Sequence, residues 1–96
     1  MTVTGLIINQ DKDTAAVVAE EVKKGDVVLC RRGSEILEIP ALEDIPAYHK
    51  ISLRDMKKGE SVIKYGEAIG RLLEDVGCGG YIHIHNLGRM EEREKG

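Results

Sequence analysis

The stretch LRDMKKGESV, Leu53–Val62, sets the fold. An acidic residue, an apolar residue, two spacers and a glycine lead into a strand-like run. The same phrase recurs as AEEVKKGDVV (Ala19–Val28) and as LEDVGCGGYI (Leu73–Ile82). Each apolar member (Val22, Met56, Val76) is placed to plug into a core. Each glycine (Gly25, Gly59, Gly79) supplies the positive φ that a tight turn requires before the next strand. The copies are unequally spaced, so they mark a recurring turn rather than a solenoid array.

Between these turns the segments are short and rich in Val, Ile and Leu. VTGLIIN (Val3–Asn9) reads as a strand, and TAAVVAEEV (Thr14–Val22) is taken as one despite its Ala and Glu. DVVLCR, RGS and EILEIP form a hairpin with a glycine turn. ALEDIPAY (Ala41–Tyr48) connects to HKISL, SVIKY, AIGRLL and GYIHIH, with YGEA as a further tight turn. This pattern predicts a mostly β domain over residues 1–87, with helix confined to single turns near the KKG phrases. Residues 88–96, GRMEEREKG after Leu87, read as a charged tail or linker stub.

Ninety-six residues suffice for one small domain. Its core must be aliphatic, because Phe and Trp are absent and Tyr occurs three times. The net charge of −3, without a basic stripe or aromatic platform, argues against nucleic acid. No apolar run is long enough to span a membrane, and the first residues lack the pattern of a secretory signal. Cys30 and Cys78 lack metal or redox spacing and read as free thiols. Together these features predict a cytoplasmic protein.

The chemistry-bearing residues gather in the second half. In YIHIH, period-2 alternation puts Ile82 and Ile84 on a core face and Tyr81, His83 and His85 on the other. Imidazoles spaced this way lie roughly 6.5–7 Å apart. They could share a divalent metal if ligands arrived from elsewhere, contact substrate as proton donors or acceptors, or simply face solvent. His49 and Lys50 open one strand. Lys64, Tyr65 and Gly66 form a second cluster, where lysine could bind a carboxylate and glycine permits close approach; a charged hairpin tip explains them equally well. Arg71 is a second possible anion clamp, or a solvent-facing side chain.

The order HK, KKGE, VIKYG, IGR and HIHN across His49–Asn86 resembles the SAF domain of the altronate/galactarate dehydratase family. The first half fits in outline only, through an opening strand and a KKGD turn. The resemblance implies a SAF-type β-clip fold and loss of water from a sugar acid. It implies a divalent metal, typically iron, held mainly by a large catalytic partner chain or domain, and a hexuronate-catabolic setting. It places His49, Lys50, Lys64, Tyr65, Gly66, Arg71, His83, His85 and Asn86 at the substrate or at the subunit interface. Metal contact would fall to His83 and His85, and no residue here is expected to be catalytic alone. The same motif order is similar to the small subunit of sulfolactate sulfo-lyases, so a sulfonate-eliminating subunit is one alternative. A non-catalytic assembly module is another, and self-association is left open. The chain is read as a separate small subunit or as a domain cut from a larger chain. Three positions depart from the family pattern: Tyr81 where a third His is common, Ala68 where Pro is common, and Tyr48 where Gly is common. The first weakens a metal role, since phenol is a poorer divalent ligand than imidazole.

Overall fold

A computed structural model of the chain describes residues 2–7, 12–64, 66–83 and 85–88. Expectations for Tyr65, Ile84, the end of the first predicted strand and residues 89–96 lie outside these. The described residues form nine strands: β1 (Thr2–Leu6), β2 (Ala15–Val18), β3 (Val27–Arg32), β4 (Glu35–Pro40), β5 (Lys50–Ser52), β6 (Ser61–Lys64), β7 (Glu67–Leu72), β8 (Tyr81–Ile82) and β9 (Leu87–Gly88). Six form one sheet in the order β4-β3-β1-β2-β5-β8, and three form a second in the order β6-β7-β9. No helix long and apolar enough to cross a membrane occurs among the described residues.

The mostly β reading holds, with one change. The KKG phrases are reverse turns rather than helical ones. Asp26 donates its N–H to the Lys23 carbonyl, Glu60 to Lys57, and Gly80 to Gly77. Gly25, Gly59 and Gly79 occupy the third turn position at φ near +90°. That conformation defines a type II turn and cannot continue a right-handed helix.

A fourth copy stands where the sequence reading had a plain connection. LEDIPAYHKI, Leu42–Ile51, aligns with LEDVGCGGYI. His49 donates to the Pro46 carbonyl at 3.2 Å, and Tyr48 takes the glycine position at φ 67°. The turns interlock in pairs. Val22 and Ile45 exchange both backbone hydrogen bonds, as do Met56 and Val76. In the second pair, Asp55 accepts from the Cys78 N–H and Asp75 from the Lys58 N–H, each at 2.8 Å.

Two aliphatic cores result. One gathers Val3, Val18, Val22, Val28, Ile39, Ile45 and Ile51; the other gathers Ala15, Met56, Val62, Leu72, Val76 and Ile82. The short strand β8 joins them. Tyr81 leans on the first core, while its neighbour Ile82 is buried in the second. Cys30 and Cys78 are free thiols, and burial pushes Cys30 up to about 11.

Candidate functional site

β5 and β8 pair antiparallel, with Lys50 opposite Ile82 and Ile51 opposite Tyr81. One further step in that register sets His49 opposite His83. Their rings meet edge to face, with centroids 4.7 Å apart. Tyr81 stacks against His83 at 5.7 Å and 8° between planes. It also approaches His49 at 5.8 Å and His85 at 5.2 Å. The alternation of YIHIH therefore predicted which rings converge, but for only part of the right reason. The strand ends at Ile82. The side chain of Asn86 accepts the His83 N–H at 3.0 Å, and its Nδ2 donates to the Tyr81 carbonyl at 2.8 Å. Asn86 also donates its own N–H to the His83 carbonyl. These bonds close a turn that presents His85 to solvent.

Asn86 itself is buried at 3 % exposure. Expected at the substrate or interface, it shapes the loop that carries both histidines. Gly66 is likewise held from inside. It donates its N–H to Asp13 at 2.7 Å and adopts φ 79° to close the β6–β7 hairpin. Asp13, buried at 3 %, escaped the sequence reading because an acidic residue near a predicted turn resembles a solvated one. Arg71 is exposed on β7 and reaches the Gly59 carbonyl at 3.5 Å.

Two cationic groups of the cluster are shifted by their surroundings. Burial pulls the Lys50 ammonium below its usual range, and the charge of Lys64 adds to that. His83 is also pulled down, first by desolvation and then by His49, Lys50 and His85. The neighbouring charges that lower these two groups are cationic. His49, Lys50, His83 and His85 lie close together, and the Lys64 charge acts on Lys50. Such a cluster favours anions and disfavours a bare cation.

Metal binding fares differently. Among the described residues, no group of three or more His, Cys, Asp or Glu side chains could hold a metal ion. Tyr81 stands between His83 and His85, and a phenol is a poorer divalent ligand than imidazole. The described residues alone do not make up a metal's ligand set.

His49 carries one further detail. Its Nδ1 lies 3.0 Å from the Ala47 carbonyl. A carbonyl oxygen can only accept, so Nδ1 bears a proton, and in the neutral ring Nε2 then carries the lone pair. Elsewhere, on the outer face of β1, β3 and β4, Leu6, Ile7, Leu29, Arg31 and Ile36 help line a shallow cavity of about 440 Å³. None of the clustered rings lines it.

A sequence profile described as the altronate/galactarate dehydratase SAF domain matches residues 4–90. The chain is 46 % identical over 48 residues to the (2R)-sulfolactate sulfo-lyase subunit alpha of Paracoccus pantotrophus, covering 50 % of this chain and 72 % of that one. It is 29 % identical over 89 residues to the same subunit from Chromohalobacter salexigens, covering 91 % of this chain and 95 % of that one. It is 32 % identical over 75 residues to the altronate dehydratase of Bacillus subtilis, covering 78 % of this chain but 14 % of that much longer enzyme.

Proposed function

Because the chain belongs to the altronate/galactarate dehydratase SAF domain family, we propose that it is the small component of a sugar-acid hydro-lyase. It adds the substrate-binding wall of a site completed by a large catalytic partner. The observation that carries this reading is the convergence of His49, Lys50, His83 and His85, with the Lys64 charge acting on Lys50.

Dehydration beside a carboxylate requires loss of a carbon-bound proton and departure of hydroxide. The developing negative charge spreads onto the carboxylate. Lys50 and Lys64 neutralise it there, and a half-buried setting strengthens that attraction over its value in water. His83, held mainly neutral near pH 7, can hydrogen-bond hydroxyl groups of a polyol chain. A divalent metal, iron by expectation, would supply Lewis-acid help to the leaving hydroxide from the partner's side. We assign the activity to the cytoplasm.

The test is reconstitution with a large dehydratase subunit and altronate as substrate. Adding this chain raises turnover, and Lys64→Ala raises KM about tenfold. A partner fully active by itself would refute the reading.

A second reading is favoured by a match that runs along 95 % of a sulfo-lyase alpha subunit. The same cluster would then receive a sulfonate as well as a carboxylate, and sulfite would be the leaving group. Turnover of sulfolactate but not altronate by the reconstituted pair selects it. If instead His83→Ala and His85→Ala weaken assembly and leave the rate of the complex intact, the rings form a docking surface only.

A further inference from the structure

Four turns share one geometry, and one of them breaks its rule. Gly25, Gly59 and Gly79 take the positive φ, whereas the fourth turn places Tyr48 there. Tyr48 is the one non-glycine residue at positive φ among those described, and it is 76 % exposed. Its burial does not explain its conformation, which costs a side-chain-bearing residue about 1–2 kcal/mol. The turn's consequence falls on the next residue. In two sister turns the side chain after the glycine folds back to accept a backbone N–H: Asp26 from Lys23, Glu60 from Lys57. His49 folds back in the same position, but as a donor, to the Ala47 carbonyl. A type II turn rotates its central peptide by about half a turn relative to type I. The positive φ of Tyr48 is therefore what aims that carbonyl.

We propose that the Pro46–His49 turn is a tautomer lock, holding His49 as the Nδ1–H imidazole so that Nε2 accepts the substrate proton. This assignment rests on the substrate-site reading above. The carbon–hydrogen bond next to the carboxylate breaks and its proton moves to Nε2. Its electron pair becomes the new carbon–carbon double bond. The carbon–oxygen pair leaves with hydroxide, which takes a proton from solvent, and His49 returns its proton to solvent. The imidazolium formed in between is stabilised because Nδ1–H then makes a charge-assisted bond to Ala47. His49 is thus a catalytic residue, positioned by the turn whose positive φ Tyr48 adopts.

Nitrogen-15 NMR of the labelled chain above pH 7.5 reads the tautomer without any partner. The expected spectrum shows His49 with a protonated Nδ1 and an unprotonated Nε2. A protonated Nε2, or an average of the two forms, overturns the lock. Tyr48→Gly keeps the turn and should keep the tautomer; loss of the tautomer in this variant removes the turn as its cause. In the reconstituted enzyme, His49→Gln lowers kcat about 100-fold with KM changed less than about threefold. An unchanged kcat in folded His49→Gln overturns the base assignment. If Lys64→Ala and His83→Ala then still raise KM, the substrate-site reading survives that failure; if they too are silent, both readings fall.

Discussion

His49 and His83 face each other across the β5–β8 register, ring centroids 4.7 Å apart and planes at 64°. Two imidazoles at that distance cannot both be charged cheaply. Desolvation and the neighbouring His49, Lys50 and His85 lower the His83 pKa from its ordinary 6.5. The unfolded chain therefore binds a proton at a higher pH than the folded one does. Between the two pKa values the unfolded state holds more protons, so stability rises with pH there. Acidification from pH 7 through 6.5 should lower the urea midpoint, and the loss should level off below the folded pKa. His83→Gln should remove His83's share of this slope. A midpoint that is flat from pH 7 to 5 in the wild type would contradict the assignment.

Asn86 decides whether that ring pair exists. Its side chain satisfies the His83 N–H and the Tyr81 carbonyl from a buried position. Asn86→Ala removes both partners and leaves polar backbone groups to find water. Each buried group left unpaired costs about 1–3 kcal/mol. We expect a loss of about 2–3 kcal/mol by chemical denaturation. Asn86→Asp, which can still accept from His83 but cannot donate to Tyr81, should lose less. Exchange broadening confined to the His83 and His85 ring signals of Asn86→Ala would show the loop released.

How much of this was legible beforehand follows from particular residues. The three glycine-bearing turns were visible because a positive φ selects glycine and leaves a mark in the sequence. The fourth turn hid because Tyr48 fills that position, although LED before Ile45 matches LED before Val76. The ring face was found by alternation, yet the strand under it stops at Ile82. The side chain of Asn86 turns back onto His83 and Tyr81 just beyond it, a local contact that alternation does not read. Arg71 was grouped with the anion-binding residues by charge type, and the second sheet carries it to the Gly59 turn. The pairing of Asp13 with Gly66 spans most of the chain, and no local pattern announces it.

Tyr48 offers a test of strain. Replacing it by glycine relieves the left-handed penalty of about 1–2 kcal/mol. Glycine's larger unfolded-state entropy returns roughly 0.5–1 kcal/mol of that. Because the tyrosine side chain is largely exposed, little packing is lost. Tyr48→Gly should therefore melt at or above the wild-type temperature. Tyr48→Val, β-branched and poorly suited to positive φ, should melt lower. The reverse order would show that the tyrosine ring is held by contacts worth more than the strain.

The glycines of the sister turns separate conformational strain from steric exclusion. Gly25 and Gly79 have nearly the same φ, 94° and 91°. A Cβ on Gly25 would meet nothing within 4 Å. One on Gly79 would collide with the Pro40 carbonyl oxygen, a backbone atom fixed at the end of β4. Gly25→Ala should therefore cost about 1–2 kcal/mol, the left-handed penalty alone. Gly79→Ala adds a clash that side-chain rotation cannot relieve, and a loss above about 4 kcal/mol is expected, enough to unfold a small domain of marginal stability. Gly79 also hydrogen-bonds through its N–H to Ser52, beside the β5–β8 pair. A folded fraction of Gly79→Ala should thus show a disturbed His49–His83 contact, whereas Gly25→Ala should leave those ring signals in place. Equal losses from the two substitutions would mean that the Pro40 segment yields, and that the close approach at Gly79 is not what holds the two turns together.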